Sequence, residues 1–157
     1  MEPNEIQTAL ASAVEEVLET MCFTSVLASA EGAVPPEGDG GAPALTTELH
    51  FQGNPSGGFR VGVPLKLARV VAAGFLGQEA TEVSDSQAEE VVCELANMIC
   101  GTVLSRLESK ATFLITHPEL SLTPSEHSAS LEGAGNNRWF DLGDGILTVF
   151  LDLQETV

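Results

Sequence analysis

Residues 138–153 read Arg-Trp-Phe-Asp-Leu-Gly-Asp-Gly-Ile-Leu-Thr-Val-Phe-Leu-Asp-Leu. Two runs rich in aromatic and β-branched residues flank Gly143-Asp144-Gly145, a strong hairpin pattern that makes its strands antiparallel neighbours. Further back, residues 44–52 alternate well enough for a strand. Asn54-Pro55-Ser56-Gly57-Gly58 reads as a turn, and Phe59–Val63 returns as the next strand, ended by Pro64. Residues 22–30 predict a strand running to Glu31-Gly32, and 126–132 another. Thr112–Thr116 and Leu120–Thr123 lie around Pro118 and Pro124, so strands there are interrupted. Residues 32–43, rich in Gly and Pro, read as an exposed loop.

Three helical stretches join these strands. Over 4–21, Ile6, Leu10, Val14, Val17, Leu18 and Met21 recur at helical spacing, Asn4 can cap, and Gln7 follows three residues later in capping-box fashion. Residues 65–76 predict a short helix with Leu65, Leu67, Val70, Val71 and Phe75 inward and Gly77 as its stop. The longest helix runs over 84–109, with Ser84 and Gln87 forming a capping box and Asp85 favouring the positive helix end. The order is helix, strands, two helices, strands, without βαβ alternation. The fold class is therefore α+β, a two-layer arrangement of a mostly antiparallel sheet with helices packed on it and the long helix against the sheet centre. At 157 residues, the chain fits one domain, 1–157.

The chain carries 23 Asp+Glu against 6 Lys+Arg, a net charge of −17. Such a surface repels phosphate backbones and anionic lipid, which argues against nucleic-acid and membrane partners. No apolar run approaches the ~18 residues of a membrane span, and MEPNEIQT lacks the basic start of a signal peptide. A cytoplasmic location is expected. Cys22, Cys93 and Cys100 form no metal-binding or disulfide pattern. Cys93 and Cys100 lie about 10 Å apart along one helix, too far for a bond. His50, His117 and His127 lack metal-ligand spacing. Gly38-Asp39-Gly40 and Gly57-Gly58 read as turns rather than phosphate loops, and Ser12, Ser105 and Ser125 have no triad pattern.

The chemistry concentrates in Glu90-Val91-Val92-Cys93-Glu94-Leu95-Ala96-Asn97-Met98-Ile99-Cys100-Gly101. At 100° per residue, Glu90, Glu94, Asn97, Gly101 and Ser105 share one helix face, opposite Val91, Val92, Leu95, Met98, Ile99 and Val103. Glu94 and Asn97 project side by side, and Gly101 leaves the face open to a close approach. Asn and Gly inside a helix each cost up to roughly 1 kcal/mol against Ala. A solvated face accounts for Glu and Asn, and Gly is tolerated for packing; an interaction face accounts for all of them together.

Glu94-x-x-Asn97, continuing as Met98-Ile99-Cys100-Gly101, resembles the signature of the CheC/CheX/FliY phosphatases of bacterial chemotaxis. Its single copy and the chain length resemble the CheX branch. The amphipathic first helix, the Pro-Leu-started second helix and the terminal hairpin follow the same order, so the resemblance covers nearly the whole chain. Where the family favours Asp or Ser four residues before the Glu, this chain has Glu90. The proline expected a little over twenty residues after the Asn is matched approximately by Pro118, with Pro124 beyond it. The resemblance implies hydrolysis of the aspartyl phosphate on a CheY-like response-regulator receiver. Asn97 would orient the attacking water, Glu94 would pair with the receiver's lysine, and Glu90, Gly101 and Pro118 would lie at the partner surface. The receiver would supply Mg²⁺, and this chain would bind neither metal nor cofactor. The alternative is a non-catalytic receiver-binding or dimeric adaptor of the same fold. A homodimer is expected through unpaired sheet edges, with 146–151 or the strand of His50 and Phe51 as candidates.

Overall fold

The computed structural model describes residues 3–32, 43–53, 56–107, 113–116, 118–124 and 136–154. These run as α1 (Pro3–Met21), β1 (Ala28–Glu31), β2 (Pro43–Gln52), β3 (Ser56–Pro64), α2 (Leu65–Leu76), a 3₁₀ turn (Ala80–Glu82), α3 (Asp85–Leu107), β4 (Leu114–Ile115), β5 (Glu119–Pro124), β6 (Asn136–Asp141) and β7 (Ile146–Gln154). The strand expected over 126–132, His117, His127 and residues 33–42 of the expected loop lie outside the described residues, as do Asn54 and Pro55 of the expected turn.

The strands form one antiparallel sheet in the order β1-β6-β7-β3-β2, with β4 and β5 both on the free side of β2. Alternation sets the register: Leu49 opposes Phe59, which opposes Leu151, and all three are buried. One residue out of step, that row would face away from the core. Around Pro118 the edge breaks into β4 and β5, as the prolines predict, and Thr116 spans the gap. Its N–H donates to the His50 carbonyl at 2.8 Å, and its hydroxyl accepts from the His50 N–H at 2.9 Å.

The helices cover the sheet face that carries Thr47, Val61 and Val149, making an α+β fold in two layers. α1 packs on β6 and α3, while α2 and α3 pack together over β2 and β3. The long helix therefore lies to one side of the sheet centre, because α1 takes the space over β6.

Several local expectations hold. The Ser84 N–H donates to the Gln87 side chain at 3.0 Å, and the Gln87 N–H donates to the Ser84 hydroxyl at 3.1 Å, closing the capping box. Gly77 ends α2 in the left-handed region, φ 69°, its N–H on the Ala73 carbonyl.

Others are corrected. α1 begins at Pro3, whose missing N–H suits a first helical position, so Asn4 lies inside the helix rather than capping it. Gln7 is buried instead of solvated: its amide N–H donates to the Asn137 carbonyl and its oxygen accepts from Arg138, each at 3.4 Å. The strand expected from residue 22 starts only at Ala28. Phe23 adopts φ 53°, which stops α1 and lets the Thr24 N–H reach the Leu18 carbonyl at 3.0 Å.

Both strands offered as dimer edges are interior. β7 lies between β6 and β3, and β2 lies between β3 and the β4–β5 pair. The apolar character of β7 has a different cause. Leu147, Val149 and Leu151 face the core, while Phe150 on the other face lies under Arg60, whose Cζ is 5.7 Å from the ring centroid. Among the described residues the edge strands are β1 and the β4–β5 line.

Candidate functional site on the long helix

α3 buries Val91, Val92, Leu95, Ile99 and Val103 against the sheet and its neighbouring helices. The opposite face is determined by that burial: Glu90, Glu94, Asn97 and Ser105 are exposed and Gly101 is half-buried. Glu94 and Asn97 are separated by about 4.5 Å of helix rise. Among the described residues neither side chain has a hydrogen-bond or ion-pair partner, so both are open to solvent. A carboxylate offers only acceptors, whereas the carboxamide both donates and accepts.

Gly101 marks the same face in another way. A Cβ placed there would meet nothing within 4 Å, and its φ lies outside the left-handed region. Among the described residues neither packing nor backbone geometry calls for glycine, although the helix loses about 1 kcal/mol by having it.

Asn97, Gly101 and Ser105 line one wall of an open groove of about 740 Å³, and Glu16, Thr20 and Met21 of α1 line the other. Met98, expected on the buried face, is half-buried and also borders the groove. Arg106 of α3 closes one end, donating to the Ser12 hydroxyl and the Glu16 carboxylate of α1. The structure thus joins Asn97 and Gly101 in one groove. Glu90 and Glu94 continue along the same exposed helix face outside it, and Pro118 lies at the break between β4 and β5. The α1 wall was not identified from the sequence. The nearest signal is Met21, which continues the apolar period of α1 but is 41% exposed.

Nucleophilic thiol chemistry has no support. Burial pushes the Cys22 and Cys100 thiols up to about 12, and burial aided by Glu89 raises Cys93 against the lowering effect of the Thr47 hydroxyl. Among the described residues no group of three or more His, Cys, Asp or Glu could hold a metal ion. No described helix is long and apolar enough to cross a membrane.

Solved structures share this fold over nearly the whole chain. A chemotaxis protein CheX from Desulfovibrio desulfuricans superposes with a TM-score of 0.70 at 20% identity, covering 96% of this chain and 99% of that one. The chemotaxis protein CheX from Vibrio vulnificus gives 0.69 at 17% identity, covering 98% and 99%. CheX from Borrelia burgdorferi, in a complex with CheY, BeF3 and Mg²⁺, gives 0.68 at 20% identity, covering 95% and 97%. No curated protein sequence matches the chain. The family model described as chemotaxis phosphatase CheX matches residues 46–137. That span is more than half of the sequence and contains all of α3 with Glu94 and Asn97, and on it the chain belongs to the CheX family of chemotaxis phosphatases.

Proposed function

We propose that this chain hydrolyses the aspartyl phosphate of a CheY-like receiver domain, with Asn97 holding the attacking water and Glu94 docking on the receiver's lysine. The observation that carries the reading is the exposed Glu94–Asn97 pair, which is fixed on a packed, capped helix and has no partner among the described residues. Membership of the CheX family supports it, as does the likeness to a CheX solved together with CheY, BeF3 and Mg²⁺.

The division of labour follows from the chemistry. An acyl phosphate is already activated, so the step needs a water in line with the phosphorus–oxygen bond. That water adds to phosphorus as the aspartate carboxylate leaves. The receiver supplies Mg²⁺, which neutralises charge developing on the phosphoryl oxygens. Asn97 suits the water because its oxygen accepts a water proton while its NH₂ can donate toward the phosphoryl group. On a chain of net charge −17, a neutral side chain at this position avoids setting a carboxylate against an anion. Glu94, one turn away, supplies the negative charge where a cation is expected. Glu90, Gly101 and Pro118 complete the proposed partner surface, and the reaction is assigned to the cytoplasm. A homodimer of this protein would pair through β1 or the β4–β5 line, the edge strands among the described residues.

Mixing the purified protein with phosphorylated receivers tests the reading. Dephosphorylation well above receiver autohydrolysis is expected. Receiver binding with no acceleration across cognate candidates would overturn the phosphatase and leave an adaptor of the same fold.

A further inference from the structure

Phe23 is an oddity in the fold. It is 83% exposed, the most exposed large apolar residue among those described, and it is held at φ 53°. Both features are unfavourable. A side chain with a Cβ is strained in the left-handed region, and an exposed phenyl ring gains no burial. Stopping α1 does not require either, since Gly or Asn terminates a helix this way with less strain. Strain that the fold itself does not need is a pointer to function.

The surroundings show where the ring stands. Cys22 joins Phe23 to Met21, the last residue of α1 and part of the groove wall facing Asn97. The Cys22 carbonyl abuts Gly74 of α2, and Leu76, two residues on, is itself 38% exposed. Met21 and Phe23, both exposed, thus stand at the end of α1 that borders the groove. The net charge of −17 opposes an anionic lipid surface as occupant. The groove that Met21 lines is the one already assigned to the receiver.

Resting on that assignment, we propose that Phe23, supported by Met21, is the aromatic anchor that holds the phosphorylated receiver over the Asn97 groove, setting affinity and not the chemical step. Aromatic side chains dominate the energetics of such contacts because they bury a large area with few rotamers to freeze. The left-handed backbone turns the chain out of the helix at this point and carries the ring clear of the core.

The test is steady-state dephosphorylation by wild type, Phe23→Gly and Phe23→Tyr, with thermal melts and light scattering on each. Glycine relieves the backbone strain, so Phe23→Gly should melt about 2–4 °C higher. Its KM for phosphorylated receiver should nevertheless rise about tenfold, with turnover at saturating receiver within about twofold of wild type. Phe23→Tyr should keep the wild-type KM. An unchanged KM in an active Phe23→Gly enzyme would reduce Phe23 to a helix stop and overturn the anchor, leaving the phosphatase reading intact. A change in oligomeric mass in place of a change in KM would assign Phe23 to a contact with a second copy and equally overturn it. A wild type that neither binds nor dephosphorylates receivers would remove both readings.

Discussion

The carbonyl oxygen of Cys22, just past α1, occupies the space that a side chain on Gly74 of α2 would need. A Cβ at position 74 would lie 2.0 Å from that oxygen. The two helices meet backbone to backbone here, and the contact places the end of α1, with Met21 and Phe23, beside α2. Gly74→Ala must push the helices apart or bend one of them. A loss of about 1–3 kcal/mol is expected, the usual cost of overpacking. Urea unfolding followed by circular dichroism measures it, and an unchanged midpoint would show that the contact yields freely.

Gly101 predicts the opposite. Nothing lies within 4 Å of the point where an alanine methyl would stand, so Gly101→Ala should stabilise α3 by about 0.5–1 kcal/mol. Receiver affinity should fall if the partner packs on that surface. A variant both more stable and equally tight in binding would take Gly101 out of the partner surface.

Asn97→Ala should leave the fold intact, because the side chain is exposed and alanine favours the helix. Receiver dephosphorylation should drop roughly 10²-fold or more, as when one positioned hydrogen-bonding group is removed. Glu94→Ala should weaken receiver binding together with the rate, since its proposed partner is a cation on the other protein. Phosphate release and titration calorimetry separate the two effects.

The buried thiols predict an alkaline limit to stability. Cys22 and Cys100 are raised from 9.0 to about 12 by burial. The folded state holds their protons more tightly than the unfolded chain does, so their contribution is complete below pH 9 and is lost as pH rises toward 12. The urea midpoint should fall between pH 7.5 and pH 10.5, and Cys22→Ala with Cys100→Ala should flatten that fall. The chain has no tyrosine, so thiolate absorbance can be followed directly.

Self-association through the sheet would use β1 or the β4–β5 line, the edge strands among the described residues. At moderate salt and micromolar protein, light scattering should give twice the chain mass of 16.4 kDa. Two chains of −17 repel, and salt screens charges beyond about 8–10 Å, so dissociation should be easiest at low ionic strength. A mass of one chain under all conditions would remove the dimer.

Features set by neighbours along the chain were legible in the sequence. The Ser84–Gln87 capping box, the Gly77 stop, the interruption at Pro118, the terminal hairpin and the exposed Glu94–Asn97 face each depend on residues within a few positions of one another. Periodicity and capping chemistry act over that range. Features set by distant neighbours were not legible. The groove beside Asn97 lies where α1 packs on α3, which also brings Arg106 to Glu16, 90 residues away, and Gln7 is buried where α1 packs on β6, which brings it to Arg138 across 131. The apolar run 146–151 reads equally well as an edge or an interior strand, since either position can bury one face. Pairing with both β6 and β3 makes it interior. Phe23 carries no local mark of a helix stop, and its left-handed turn forms where α1 ends against the Gly74 backbone. Local codes act on one element at a time, whereas strand order, the groove and the placement of Phe23 arise only when separate elements compete for the same space.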